Sequence, residues 1–467
     1  MALQRLVVLI LVPLFCLTLG TRGDAPEQVH LSLTKRPAEM AVTWVTVKKE
    51  SNSVVSYWPE GQPTESVSIK ATVNSFKNKD GTERHVHRAT MRGLFPGQRY
   101  AYHVGSGSSM SRDFVFRVPS ASPPYKVVVF GCLGFEEAVS LPSLIARTKQ
   151  PGNVDLIIHM GDFAYNLYKD GVGDAFMRMI EPLTATVPYM VVPGNHEEEK
   201  GNNFTTYRNL FTMPDMDQGD NHFYSFDFGP IHFIGVSSEH YGFTETYGYE
   251  PARMQYKWLQ NDIKNNAPSR SKQRPWLVTL QHRPLYCSNR GSLNCEADEI
   301  LVVRDGVGDV PGLAALYKAA SVDIAFAAHK HQYERFLPRG SEAPSNTDPY
   351  HNADGTTYIV TGAAGNKEGL GKFSEIPAKF SIVREKKYSY TLLTIHNTTH
   401  ITLEQIETEK ADKVIDSIVF SKTSAKIASY RIPENAPEFA DDLQIVDLPK
   451  RMPRNPTSGE FEDEQEL

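Results

Sequence analysis

Five short clusters carry side chains that bind cations or move protons. They are Gly131-Cys132-Leu133-Gly134, Gly161-Asp162-Phe163-Ala164-Tyr165, Gly194-Asn195-His196-Glu197, Gln281-His282-Arg283-Pro284 and Ala328-His329-Lys330-His331. Carboxylate, phenolate, amide oxygen and imidazole are hard or borderline ligands. Small residues ahead of most clusters let the backbone turn sharply and approach a bound ion. Singly, each has a plain structural reading: a strand-end histidine as a hydrogen-bonded core residue, Asn195 as a turn residue, Tyr165 as packing. Five in ordered series point instead to one shared pocket. The chemistry such a set supports is hydrolysis assisted by two metal ions, which polarise an electrophile and acidify water.

The elements that must position these residues are short apolar runs, each ending just before a cluster. Residues 127–130, 156–159, 189–192, 276–279 and 324–327 read as buried strands, with a further strand over 232–236. Helix candidates lie between them at 141–149, 174–180, 251–266 and 312–320. The clearest is 251–266, with Met254, Trp258, Leu259 and Ile263 assigned to one face. Strands alternating with helices predict an α/β layered domain. Ligands collect at the carboxyl ends of strands in such sheets, where Asp162 and Tyr165 can share one pocket. His329 and His331 alternate along an extended chain and so point to one side. Lys330, between them, is expected to point away.

Ahead of this region the texture differs. Met40, Val42 and Trp44 alternate with Ala41, Thr43 and Val45, and turn residues punctuate short runs. This predicts a β-sandwich over 25–118. The stretch Leu94-Phe95-Pro96-Gly97-Gln98-Arg99-Tyr100 resembles the fibronectin type III corner, where the tyrosine bonds back to upstream backbone. A proline-rich linker spans 119–125, the α/β domain 126–409, and a C-terminal extension 410–467 whose acidic tail is expected to be disordered. Residues 1–24 read as a signal peptide: Arg5, an apolar run over 6–19, then small residues. The expected destination is secretion or the lysosomal lumen.

With 49 basic and 55 acidic residues in 467, the net charge of -6 excludes a general nucleic-acid binder. No later stretch is apolar and long enough to span a membrane. Sequons at Asn203 and Asn397 fit an exported chain. Cys287 and Cys295 flank a short polar loop and are a disulfide candidate in an oxidising compartment, free thiols being the alternative.

The ordered clusters resemble the metallophosphoesterase superfamily and, through Tyr165 and the sandwich in front, its purple acid phosphatases. Tyr333-Glu334-Arg335 and Gly362-Ala363-Ala364-Gly365 also resemble that branch. The resemblance implies a fibronectin III-like β-sandwich followed by an α-β-β-α metallophosphoesterase domain. It implies a secreted acid phosphatase hydrolysing phosphate monoesters with a metal-bound hydroxide at a binuclear centre, and a possible homodimer. Carried over, Asp162 bridges the ions. A ferric ion takes Tyr165 and His331, and a second ion (Fe, Zn or Mn) takes Asn195, His282 and His329. His196 contacts the phosphate and helps protonate the leaving group, or else orients Asn195.

One position departs from the pattern. The first motif carries Cys132 where the family has an aspartate ligand of the ferric ion. Three outcomes are open: Cys132 ligates and shifts preference toward zinc, it stays a buried neutral thiol, or Glu136 or Glu137 substitutes for it. The functional alternatives are a pseudophosphatase or altered-metal member, and a related enzyme acting on diesters. Ala328 also stands where the last motif usually has glycine.

Overall fold

The computed structural model describes residues 25–150, 152–270, 273–289, 295–339 and 348–429. The expected signal segment and the chain from 430 onward lie outside them. The first part folds as two antiparallel sheets. One orders the strands Glu27–Leu33, Glu39–Thr46, Glu83–Arg92 and Thr72–Lys77. The other orders Val67–Lys70, Val54–Pro59, Arg99–Ser106 and Ser109–Met110, with Phe114–Arg117 beside Arg99–Ser106. Their shared core includes Val29, Val42, Trp44, Tyr102 and Phe116. The Tyr100 hydroxyl accepts the N–H of Phe95 at 3.2 Å, closing the corner.

The strand Glu39–Thr46 is buried on both faces, although its sequence only alternates. Its outer face meets the second domain instead of water. Thr43 Oγ1 lies 2.8 Å from Thr212 Oγ1, and Arg84 holds Asp174 through bonds of 2.8 and 2.9 Å. The sandwich is thereby docked on the helix Val172–Thr184, which carries Asp174.

The second domain is built on two mixed sheets. A six-stranded sheet runs Tyr189–Val192, Leu156–Met160, Tyr125–Phe130, Ser389–Ile395, His400–Glu407 and Lys413–Ser421, the first three parallel. A seven-stranded sheet runs Tyr224–Phe228, Ile231–Gly235, Trp276–Leu280, Ile324–Ala327, Thr357–Thr361, Tyr333–Phe336 and Ser381–Glu385. Its second to fifth strands are parallel. Alternation along these strands separates two faces. Val278, Phe326 and Ile359 join Val129, Ile158 and Val191 of the other sheet in one core. Leu277, Ala325 and Tyr358 turn the other way, onto Leu259, Val303 and Leu316 of the helices Glu250–Arg270, Asp298–Asp305 and Leu313–Ala319. The helices Leu141–Thr148 and Val172–Thr184 add Leu144, Phe176 and Ile180 to the main core.

Several expectations need correction. In the helix Glu250–Arg270 the buried stripe is Ala252, Tyr256, Leu259 and Ile263, while Met254 is 53% exposed. Two residues past Ala252 is about 200° around the helix, off the stripe. The boundary expected at 409 falls inside a sheet, because Lys413–Ser421 pairs with His400–Glu407 and the helix Ser424–Ser429 follows. All but one of the side chains of that edge strand are exposed or only partly buried, so packing imposes little pattern on its sequence. The expected linker over 119–125 loses its last residue to the sheet: Tyr125 is buried and already part of Tyr125–Phe130. Asp298–Asp305 was not anticipated as a helix, nor Tyr333–Phe336 and Thr357–Thr361 as strands; none has a long apolar period of its own.

Candidate metal centre

All five clusters emerge at the carboxyl ends of the parallel strands, and hydrogen bonds tie the loops to one another. The Cys132 N–H donates to the Gly161 carbonyl at 3.0 Å and the Ala328 N–H to the His282 carbonyl at 2.8 Å. Cys132, Asp162, Tyr165 and His329 all have left-handed backbones, with φ of 57°, 56°, 54° and 62°. Such strain, of order 1–3 kcal/mol each, persists where the surroundings over-determine it, as at functional sites. Two glycines permit the crowding. A Cβ at Gly161 would stand 2.6 Å from His282 Nδ1, and one at Gly194 would stand 2.7 Å from the Asp162 nitrogen. A Cβ at Gly131 would collide with Ala328, so the alanine in the last motif is accommodated by a glycine opposite.

One half of the centre is a compact cage. Asp162 Oδ2, Asn195 Oδ1 and His329 Nδ1 lie 3.1, 3.1 and 3.2 Å from His282 Nε2. Donors about 2.0–2.1 Å from one ion are separated by roughly 2.9–3.4 Å at octahedral to tetrahedral angles. His282 Nδ1 lies 2.7 Å from the Met160 carbonyl, so it carries the proton and Nε2 faces the cage. Burial pushes His329 well below its ordinary value, leaving a neutral ring of the kind that binds metals. For His282 burial pulls down, but the Asp162 charge and hydrogen bond outweigh it and hold it up to about 8. These four residues fit the divalent ion that the resemblance implies.

The other half fits its ion less well. Tyr165 Oη lies 2.8 Å from His331 Nε2, whose Nδ1 is held 3.0 Å from the Gly369 carbonyl. Cys132 Sγ lies 3.8 Å from Asp162 Oδ2, and Cys132, Asp162 and His282 have ligand atoms within 4.8 Å of one another. Burial pushes the Cys132 thiol well above its usual range, and burial does the same to the Tyr165 phenol. A soft sulfur replaces a hard carboxylate here, which does not suit a ferric ion. Glu136 and Glu137 are exposed and take no part in the set. His329 and His331 both face the centre, but through the left-handed turn at His329 and not along an extended strand. Lys330, between them, is buried with its ammonium 2.9 Å from Glu299.

His196 stands at the mouth. Its ring lies 4.4 Å from that of Tyr165, its N–H donates to Asp162 Oδ1 at 3.1 Å, and its Nε2 is 3.4 Å from Glu368 Oε1.

Three residues outside the sequence-based roles hold the centre in shape. Glu197, fully buried, accepts N–H groups from Asp162, Phe163 and Gly194 at 2.7, 3.0 and 2.8 Å, clamping two loops together. Asn366 Nδ2 donates to the Cys132 carbonyl at 3.2 Å. Glu299 Oε1 lies 3.3 Å from His329 Nε2 and accepts Lys330 at 2.9 Å, while Arg283 holds Glu299 Oε2 at 2.7 Å. Glu299 therefore selects the tautomer with the proton on Nε2, which turns Nδ1 toward the cage. Arg283 and Lys330 were visible beside the ligands; nothing in sequence marked Glu299 as their partner. Glu299→Ala is expected to weaken binding of the caged ion by about 10–100-fold, read as metal retained against a graded chelator. A double variant with His329→Ala should lose no more than His329→Ala alone. Additive losses would mean that Glu299 does not act through His329.

The remaining site expectations fall elsewhere. Asn203 and Asn397 lie on exposed turns, the latter accepting Thr399 and His400 N–H groups at 2.8 and 2.9 Å. Cys287 and Cys295 are joined as a disulfide, with Cα atoms 5.3 Å apart.

Comparison with known proteins places this geometry in context. Residues 26–118 match the family described as purple acid phosphatase, N-terminal domain; 125–333 match calcineurin-like phosphoesterase; and 355–417 match iron/zinc purple acid phosphatase-like protein C. Acid phosphatase type 7 of Homo sapiens is 39% identical over 415 residues, covering 86% of this chain and 92% of the relative. Probable purple acid phosphatase 20 of Arabidopsis thaliana is 32% identical, covering 81% and 83%. Among solved structures, the purple acid phosphatase PPD1 from yellow lupin (Lupinus luteus) seeds superposes with a TM-score of 0.71 at 23% identity. It covers 86% of this chain and 76% of that one, a likeness of fold.

Proposed function

The chain belongs to the purple acid phosphatase family, and on that premise we propose that it is a metal-dependent acid phosphatase hydrolysing phosphate monoesters at a two-cation centre. The observation that carries the reading is the cage of Asp162, Asn195 and His329 around His282 Nε2, with every edge to that atom 3.1–3.2 Å. When bound, two cations polarise the phosphoryl oxygens, acidify a water and stabilise the leaving oxygen. Asp162 lies between the two donor sets and serves both. Asn195, His282 and His329 would hold Fe, Zn or Mn on one side; Tyr165 and His331 face the other.

The protein's own part is positioning and proton handling. His196 stands at the open side, 3.4 Å from Glu368 and in contact with the Tyr165 ring. It is placed to hydrogen-bond a phosphate oxygen and to protonate the leaving alcohol. Asp162 accepts the His196 backbone N–H, which ties the carboxylate that would serve both ions to the loop carrying the proton donor. The exposed sequons at Asn203 and Asn397 and the Cys287–Cys295 disulfide support passage through the secretory pathway. Among the described residues no helix is long and apolar enough to cross a membrane.

The test is hydrolysis by the purified full chain of an aryl phosphate and the matching aryl diester. The assay runs at about pH 5, below the unperturbed histidine pKa, with and without a chelator. Chelator-sensitive turnover favouring the monoester is expected. Turnover that survives complete metal removal, or a preference for the diester, would refute the reading.

A further inference from the structure

The half of the centre that does not suit a ferric ion has a donor set of its own. Cys132 Sγ, Asp162 Oδ2, Tyr165 Oη and His331 Nε2 come from three separate loops, and all four residues but His331 are less than 5% exposed. Tyr165 and His331 close to 2.8 Å, while Cys132 and Asp162 stand 3.8 Å apart. Oxygen and nitrogen donors around one ion need edges of roughly 2.9–3.4 Å. A sulfur ligand, with its bond of about 2.3 Å, stretches a tetrahedral sulfur–oxygen edge to about 3.5 Å. Of these two edges the one to sulfur is the longer, the direction in which a thiolate ligand shifts it. The loop cannot easily turn Cys132 away, since its N–H is bonded to Gly161 and its carbonyl to Asn366.

We propose that Cys132 is a metal ligand and that it converts the family's ferric position into one for a thiolate-tolerant divalent ion, zinc in the first instance. On binding, the Sγ proton leaves to solvent and the sulfur coordinates as thiolate. One sulfur, two oxygens and one nitrogen make a four-coordinate set that zinc accepts without geometric preference. A centre so built has no ferric ion to accept electron density from the Tyr165 phenolate. That half of the centre would then give no phenolate-to-iron colour and undergo no iron redox change. The inference shares its pocket with the phosphatase reading and depends on that reading only for the presence of metal. A competing carboxylate is Glu368, 3.9 Å from His331 Nε2 but with its side chain 44% exposed at the mouth.

The experiment loads the metal-free full chain with Co2+ and records its absorption, alongside elemental analysis of the protein as secreted. The expected result is a sulfur-to-cobalt charge-transfer band in the near ultraviolet, lost in Cys132→Ser and kept in Glu368→Gln. The protein as secreted should carry zinc with little iron. Cys132→Asp should raise its iron content several-fold and bring up the visible phenolate-to-iron band. Two cobalt ions per chain with no thiolate band would overturn the proposal while leaving the phosphatase reading intact. Loss of one ion in Glu368→Gln but not in Cys132→Ser would overturn it in favour of the glutamate. Failure of the unmodified chain to bind any metal would overturn both readings. The band on the unmodified chain decides the matter even if a Cys132 variant does not fold.

Discussion

Asp162→Asn is expected to remove turnover by roughly 10³-fold or more, about 4 kcal/mol of lost transition-state stabilisation. Asparagine has nearly the shape of aspartate, so the fold around this buried residue should survive. The charge does not. Oδ2 of Asp162 is 3.1 Å from His282 Nε2 and 3.8 Å from Cys132 Sγ, one donor from each half of the centre, and a neutral amide cannot neutralise two cations from that position. Burial alone would keep such a carboxyl protonated. Electrostatic interaction with the surrounding histidines, with His282 first, and the His282 hydrogen bond outweigh burial and hold it well below the usual carboxylate range. The measurement is kcat/KM on an aryl phosphate with metal content determined on the same sample. A variant retaining two ions and activity within about tenfold of the parent would show that Asp162 is not the shared ligand.

The second large effect concerns stability. Glu197→Ala leaves the N–H groups of Asp162, Phe163 and Gly194 buried without an acceptor. At about 1–3 kcal/mol for each of the three orphaned donors, a loss of roughly 3–9 kcal/mol is expected, read as a lower urea midpoint. Activity should fall with it, since the clamp sets the distance between the Asp162 and Asn195 loops. Glu197→Gln keeps an acceptor oxygen and should lose clearly less. If the alanine and glutamine variants unfold at the parent's midpoint, the clamp is not structural.

Glu197 also makes a pH prediction for the metal-free protein. Burial, and then the Asp162 charge, push it up to about 8 in the folded state, against the pull of its three N–H bonds. A carboxyl raised on folding binds its proton more tightly in the native state. Its contribution is therefore complete below the unfolded value of about 4.3 and is lost as pH rises through about 8. Stability of the metal-free chain should fall over that window. Glu197→Gln should flatten the fall.

The strands that carry the five clusters, and the order of those clusters, were legible in the amino-acid sequence alone. Apolar runs such as Leu156, Ile157 and Ile158 must be buried whatever surrounds them, and Gly131, Gly161 and Gly194 mark where three of the runs end. The family resemblance then followed from ligand types in series, including Tyr165, and so did the anomaly at Cys132. What the sequence left open needed contacts between distant residues. Glu299 lies 30 positions from His329 and Asn366 lies 234 from Cys132, and only the packed sheets bring them together. Glu197 was in view beside Asn195, but its clamp reaches back 35 positions to Asp162. The strand Lys413–Ser421 was not legible because an exposed edge carries little hydrophobic pattern. Met254 was misassigned because period alone does not say which of two partly apolar faces meets the sheet. Local chemistry can be read residue by residue. Which nitrogen of a histidine faces the metal, and which sulfur stands beside it, is decided by packing across the whole domain.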